Sequence, residues 1–300
     1  MHQYAVEATN LSKTYNGHAA VDNISLAVRE AEIFGILGPN GAGKTTLIDM
    51  LVGLKRPTAG EIRIMDLTLR ASPIEIKKRI GHVYADMAFF PHLTAVQNLS
   101  FFGRFYNRNA RQLKSRISEL LEFVGLPAEA KKRVGVFSHG MKQRLGFARA
   151  LINDPRIVFL DEATSGIDVR GTRAIRNLVY DLRAQGRAIV IASHELAEIE
   201  LVCDRIALLD EGKLLVVGSP DDVKAGAGGM LYKYRVHVPY AISEGASFGA
   251  EVSFLGDSNI LVASEDLSHH LREQFGEGFV DTLKPTLEDV FLWHVGEKER

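Results

Sequence analysis

The chain reads as an α/β protein built on a mostly parallel sheet, and three observations carry that reading. The apolar run Ile33-Phe34-Gly35-Ile36-Leu37 has the length of a buried strand. It leads through Gly38-Pro39-Asn40-Gly41-Ala42-Gly43-Lys44-Thr45-Thr46 into the helix-like Leu47–Val52. Further buried strands at Ile157–Leu160 and Ala188–Ala192 alternate with helical stretches at Ala174–Leu182 and Glu195–Val202. The first of these two strands ends in the pair Asp161-Glu162, at the edge where a parallel sheet presents ligands.

Strand, glycine loop and helix in succession turn the pattern G-x-x-x-x-G-K-T into a triphosphate site. Glycines let the backbone fold tightly with its N–H groups inward, and the helix start adds unsatisfied donors and partial positive charge. Lys44 is placed to reach the β- and γ-phosphates, and the Thr45 hydroxyl to ligate Mg²⁺. Asp161 fits the acid that holds the same ion, and Glu162 fits a general base for the attacking water. His194 ends its strand in the same way and could hydrogen-bond the γ-phosphate. The bland alternatives are a surface turn, an acidic cap and a structural histidine. Each suffices for one feature and strains to cover all of them.

Composition narrows the class. Three hundred residues, 46% of them apolar, allow one large domain or two. A net charge of −1 argues against a nucleic-acid binder that works by bulk electrostatics. The basic runs Lys77-Lys78-Arg79 and Lys131-Lys132-Arg133 read as solvated helix faces. The single cysteine, Cys203, excludes an internal disulfide, fits a reducing cytosol and sits among Leu201, Val202 and Ile206 as a small core residue. No apolar run approaches the roughly 20 residues of a membrane span. Met1-His2-Gln3-Tyr4 leads straight into a strand pattern, so no signal peptide is expected either.

Along the chain, apolar and polar residues alternate around Tyr4–Leu11 and Ala20–Val28, with a turn signal at Asn16-Gly17. This predicts an antiparallel β layer, with Tyr15 at its edge where an aromatic ring could stack on a purine. Glu61–Met65 is a short strand. Ser72-Pro73-Ile74-Glu75 has the form of a capping box with proline at the first helical position, opening a helix to about Arg79. Ile80–Tyr84 is strand-like. Residues 94–151 read as helical, opened by the capping box Thr94/Gln97, carried by Leu113, Ile117, Leu120, Leu121 and Val124, and closed at Gly125. Ser138 opens the next helix, and Ile206–Leu209 with Leu214–Val217 form a last hairpin. Glycine-rich stretches bracket a short helical piece in 219–229, a linker to a small α+β unit over 230–300. Its strands are expected at Tyr232–Val238, Ala250–Phe254 and Ile260–Val262, and its helix near Leu267–Phe275.

The order Gly38–Thr46, Ser138-His139-Gly140-Met141-Lys142-Gln143-Arg144, Ile157–Glu162, Ser165-Gly166-Ile167-Asp168 and Ser193-His194 resembles the nucleotide-binding subunits of ABC transporters, over residues 4–217. That resemblance implies a P-loop NTPase core over 1–218 with an antiparallel β layer and a helical subdomain at about 86–151. It implies ATP and Mg²⁺ as ligands, Tyr15 as the adenine-stacking aromatic, and Lys44, Glu162 and His194 as the catalytic set. Ser138, Gly140 and Met141 would form a signature loop that closes on the γ-phosphate held by the other subunit of a head-to-tail homodimer or heterodimer. Asp168 would belong to the D-loop. A helix capped by Ser138 agrees with that role, since a helix start is an anion site.

Three positions depart from the family pattern. The usual Leu-Ser-Gly-Gly-Gln reads Phe137-Ser138-His139-Gly140-Met141 here, and the family's loop glutamine is replaced near Ala85 or Asp86, where Asp86 could approach Mg²⁺ instead. Ala31 stands where a turn glycine is common. The tail Lys284-Pro285-Thr286-Leu287-Glu288-Asp289-Val290-Phe291-Leu292 resembles the ATPases of antibiotic and drug exporters of the daunorubicin-resistance type. The expectation is a cytoplasmic ATPase, peripheral on the inner face of the cell membrane, that drives a separate permease for a drug-like, lipid or polysaccharide cargo. Residues near 86–110, with Phe89-Phe90-Pro91 and Phe101-Phe102, would touch the permease. Competing readings are a ribosome- or DNA-associated ABC protein, an import ATPase, and a P-loop kinase or GTPase. One cassette without a heptad run, and no Asn-Lys-x-Asp motif, weigh against the first and the last.

Overall fold

The computed structural model describes residues 4–84, 87–106, 109–225, 232–236, 252–255, 260–263, 266–276 and 280–296. The chain opens with an antiparallel hairpin, β1 (Tyr4–Tyr15) and β2 (His18–Arg29). Asn16 and Gly17 turn it with φ of 48° and 85°, the left-handed pair that matches the twist of two joined strands. Strand β3 (Ile33–Leu37) then runs into α1 (Lys44–Leu51), and β4 (Ala59–Ile64) and β5 (Leu67–Thr68) return to the hairpin, giving a sheet of order β2-β1-β4-β5. Ala31, in the turn before β3, has φ 54°, where glycine is free and alanine costs about 1 kcal/mol.

Helix α2 (Pro73–Arg79) starts with proline at its first position, but Ser72 makes no side-chain cap bond, so the expected capping box is absent. Pro73 alone supplies the start signal. After β6 (Ile80–Val83) comes the helical lobe: α3 (Ala95–Gly103), α4 (Ala110–Phe123) and α5 (His139–Ala150). The expected helix from Thr94 to Gly125 is split by a 3₁₀ turn at Arg104–Tyr106. Two further 3₁₀ turns, Pro127–Glu129 and Val134–Val136, fill the gap between its expected close at Gly125 and the expected helix start at Ser138. Gly125, at φ 67°, and Pro127 account for that close. Lys131 and Lys132 lie in the turn after it, not on a helix face. The capping box at Thr94 is present, with Gln97 N donating to Oγ1 (3.2 Å) and Thr94 N donating to Gln97 Oε1 (2.8 Å).

The remaining core alternates as expected: β7 (Ile157–Asp161), α6 (Val169–Ala184), β8 (Ala188–Ser193), α7 (Leu196–Val202), β9 (Arg205–Asp210) and β10 (Lys213–Gly218). They complete a six-stranded sheet of order β10-β9-β3-β8-β7-β6, parallel except for β10. Its strands divide their side chains by the period of two that a pleated strand imposes. Phe34, Ile36, Ile157 and Phe159 face the antiparallel layer and α1, while Ile33, Leu37, Val158 and Leu160 face α5, α6 and α7. A sheet covered on both faces explains the unbroken apolar runs of the sequence. Cys203 is buried in this second core, and burial pushes its thiol far above the ordinary range.

Beyond the sheet, α8 (Pro220–Lys224) is opened by a capping box of Ser219 and Asp222. Strands β11 (Tyr232–Val236), β12 (Val252–Leu255), β13 (Ile260–Ala263) and β14 (Val280–Leu283) form an antiparallel sheet of order β12-β13-β11-β14, with α9 (Ser268–Phe275) between β13 and β14. Strand β14 has no counterpart in the sequence expectation. The last helix, α10 (Leu287–Gly296), buries Leu287, Val290 and Trp293 in the same apolar core as Val216 and Val223. Among the described residues no helix is long and apolar enough to cross a membrane.

Candidate active site

The parallel register brings the chemistry to one edge. Leu37 at the end of β3 is paired with Ser193, and Asp161 at the end of β7 with Ala192. The glycine loop, the acidic pair and His194 therefore leave adjacent strands at the same height, as expected of ligands on a parallel sheet.

The loop closes on Gly43, whose φ of 97° and whose absent Cβ (it would lie 2.3 Å from the Ala20 carbonyl oxygen) both require glycine. Helix α1 starts there with no side-chain cap and no acidic residue in its first turn. Its first-turn donors are thus left for a ligand from outside, in the manner of an anion site. Lys44 is buried, and its Nζ donates to the carbonyls of Gly38 (2.8 Å) and Pro39 (3.0 Å) and lies 3.6 Å from Glu162 Oε1. An amine bent back over its own loop in this way covers the place where phosphate oxygens would sit.

Thr45 Oγ1 donates to Asp161 Oδ1 at 3.4 Å. Burial is the main cause that lifts the Asp161 carboxyl above its usual range, the Thr45 hydrogen bond opposes it, and the neighbouring Glu162 and Asp49 charges add to it. A dication beside this pair would relieve that cost. Glu162 follows in left-handed backbone, φ 51°, a conformation that is costly for a non-glycine residue. The turn aims its carboxylate between two cations or donors: Oε1 toward Lys44 and Oε2 toward His194 Nδ1 at 2.8 Å.

The remaining expected residues lie elsewhere. Ser138 is the N-cap of α5, its Oγ accepting from Met141 N at 3.3 Å, and Asp168 is the N-cap of α6, accepting from Gly171 N at 2.7 Å. The two helix starts share a cavity of about 490 Å³ lined by Ser138, Gly140, Met141 and Asp168, and none of Lys44, Thr45, Asp161, Glu162 or His194 lines it. Tyr15 is exposed on the hairpin edge, with Lys13 Nζ 5.1 Å and Lys55 Nζ 5.9 Å from its ring centroid. Ala85 and Asp86 lie outside the described residues, so the expected Mg²⁺ contact of Asp86 falls there.

Two neighbours of the site went unread in the sequence. Lys55 pairs with Asp49 at 3.1 Å, whose hydrogen bond is the main cause that raises its pKa, and so stands a second cation beside Tyr15. His82 stacks on Tyr84 with centroids 3.8 Å apart, and both its ring nitrogens are buried without a hydrogen-bond partner. The only signal for either was position, one just past α1 and one in β6, and neither fits a motif.

The donor set fits ATP with Mg²⁺: uncapped amides and a lysine for phosphate oxygens, and a hydroxyl beside a carboxylate for a hard cation that prefers oxygen. A glycine loop opening a helix off a parallel strand, with an acid on a neighbouring strand end, defines a P-loop nucleoside triphosphatase. A family model described as ABC transporter matches residues 21–165. The chain is 35% identical to the uncharacterized ABC transporter ATP-binding protein YhcH of Bacillus subtilis, over 97% of this chain and 96% of that one. It is 33% identical to the Nod factor export ATP-binding protein I of Rhizobium etli, over 99% and 95%. It is also 33% identical to the daunorubicin resistance ATP-binding protein DrrA3 of Streptomyces coeruleorubidus, over 99% and 97%. A dimeric ATP-binding cassette solved after hydrolysis, with ADP and Pi bound, shares 28% identity and superposes with a TM-score of 0.66, covering 71% of this chain and 98% of that one. The chain belongs to the ABC transporter ATP-binding proteins and is an ABC-type ATPase.

Proposed function

We propose that this chain drives a separately encoded permease by closing and reopening a head-to-tail pair of cassettes around two ATP molecules. The observation that carries the reading is the separation of two half-sites in one chain. Lys44, Thr45, Asp161, Glu162 and His194 gather at the sheet edge, while Ser138, Gly140 and Met141 open a different cavity with two helix starts behind it. A second copy turned head to tail brings each half-site to the other's missing half. A relative solved as a dimer with ADP and Pi bound supports pairing of two cassettes.

In this scheme Tyr15 stacks on adenine, and the backbone of Gly38, Pro39, Asn40, Gly41, Ala42 and Gly43 cradles the phosphates with Lys44 and Thr46. Thr45 and Asp161 would hold Mg²⁺, which would supply charge neutralisation to the phosphates. Glu162 orients and deprotonates the attacking water, and His194, hydrogen-bonded to Glu162, keeps that carboxylate in place. Lys44 swings from the Gly38 and Pro39 carbonyls to the phosphate oxygens. Ser138 and the amides behind it receive the partner's γ-phosphate.

The cargo moves outward, and is drug-like, lipid or polysaccharide in kind; the names of the Nod factor export and daunorubicin resistance relatives support that direction. The chain sits on the inner face of the membrane against its permease. Phe90, Phe101, Phe105 and Tyr106 are exposed on the helical lobe, with Phe90 and Phe101 in edge contact at 4.8 Å and Arg149 stacked 4.0 Å over Phe102. Such a concentration of exposed rings marks a surface that another protein covers. Co-purification from detergent-solubilised membranes tests this. The wild type should carry a polytopic partner that a Phe101→Ala/Phe105→Ala variant loses, with basal ATPase unchanged. A wild type that brings down no membrane protein would sink the reading.

A further inference from the structure

We propose that His139 ties the signature loop to the D-loop of its own subunit, so that the two move as one wall against the partner's nucleotide. This rests on the head-to-tail reading above. The position is the one where the family pattern has glycine, and the side chain there is used. His139 Nε2 lies 3.1 Å from the carbonyl oxygen of Ser165. A carbonyl only accepts, so Nε2 carries the proton and donates. The ring also rests against the D-loop turn, since a Cβ on Gly166 would be 4.0 Å from Nε2.

Packing supports the same link. Ile167 fills the space between the two helix starts: its Cγ2 would be 3.6 Å from a Cβ on Gly140 and 2.3 Å from one on Gly171. Only glycine at 171 lets the D-loop lie this close to α6, and the imidazole closes the other side. The D-loop is itself a pair of short turns, with Ser165 N donating to Glu162 O (3.2 Å) and Ile167 N to Thr164 O (3.2 Å). Through the first of these turns the loop is continuous with the base Glu162. A donor fixed on α5 therefore constrains the segment that leads to the base through the D-loop carbonyl. His139 is a positioning residue.

The test compares His139→Ala with His139→Gln in the full chain. Glutamine places an amide N–H at the same reach as Nε2 and keeps the donor without the ring. Hydrogen exchange of the 163–168 segment, read on the nucleotide-free protein, should quicken about threefold or more in the alanine variant and return toward wild type in the glutamine variant. The turnover number should fall severalfold and recover in step, while the fluorescent-ATP affinity of the monomer stays put. Unchanged exchange in the alanine variant, or exchange and turnover that glutamine fails to restore, would overturn the tether. Nucleotide-dependent dimerisation in a Glu162→Gln background separates the two readings. If that parent never dimerises, the shared-site account and the catalytic half of this proposal fall together, and exchange alone still decides whether the tether exists.

Discussion

Glu162 and His194 leave adjacent parallel strands and meet with Nδ1 2.8 Å from Oε2, while the other carboxylate oxygen of Glu162 faces Lys44. The residue is thus held at both oxygens before any substrate arrives. Its left-handed backbone, φ 51°, is the cost of turning the side chain back over the strand ends. A general base needs a fixed direction more than it needs strength, and this contact supplies the direction.

Glu162→Gln keeps the size and a hydrogen-bonding oxygen for His194 but removes the base. Steady-state ATPase should drop by about 10²-fold or more, with ATP still bound and a closed dimer accumulating on size-exclusion chromatography. Turnover at the wild-type rate would take Glu162 out of the mechanism.

Lys44→Ala removes the one buried ammonium of the loop. Charge-assisted bonds to phosphate oxygens are worth about 2 kcal/mol, so nucleotide affinity should weaken roughly thirtyfold. Nucleotide titration against wild type reads it directly. An unaltered dissociation constant would mean that the ammonium stays on the Gly38 and Pro39 carbonyls when nucleotide binds.

How much of this was legible beforehand follows from how local each cause is. Gly43 and Lys44 could be read because φ, the missing Cβ and the helix start are properties of consecutive residues. Ser138 and Thr94 were readable as caps for the same reason, whereas Ser72, in an equally good pattern, makes no cap bond: its ψ is 49°, against 164° and 168° at the two serviceable caps, and the pattern does not set that backbone angle. Strand β14 was missed because Val280-Asp281-Thr282-Leu283 has no alternation of its own and is a strand only by pairing with β11. The His139–Ser165 and Lys233–Asp289 contacts span 26 and 56 residues, and nothing local announces them.

His82 should make the protein acid-sensitive. Burial is the main cause that lowers its pKa from 6.5 to about 4, with the Arg149 charge in the same direction and Asp49 against it. The unfolded chain therefore binds a proton that the folded chain refuses between these values, and stability is lost as pH falls from 6.5 toward 4. At pH 5 the loss approaches about 2 kcal/mol. Urea unfolding at pH 7 and pH 5 should show a smaller drop in midpoint for His82→Phe than for wild type. Equal drops in the two proteins would assign the acid sensitivity to other groups.

Asp289 joins the accessory sheet to the cassette. Its carboxylate accepts from Lys233 Nζ at 2.9 and 2.8 Å and from Thr286 N at 2.7 Å, while Asp289 N donates back to Thr286 Oγ1 at 3.3 Å. One buried side chain thus caps α10 and neutralises a lysine on β11. Because α10 buries Leu287, Val290 and Trp293 in the cassette's own core, the sheet is held to the cassette through this helix. Asp289→Ala strands Lys233 without its counter-charge, a loss of about 3–5 kcal/mol, to which the lost cap adds about 1 kcal/mol. Trp293 is the single tryptophan of the chain, and it is buried in α10, so its emission reports on this helix alone. The variant should shift that emission to the red and lose the first part of its unfolding transition, with nucleotide affinity at Lys44 kept. Lys233→Met/Asp289→Leu, which removes both charges, should recover most of the loss, since a buried pair is replaced by apolar contact of similar size. An Asp289→Ala protein with wild-type emission would show that apolar burial alone holds α10 in place.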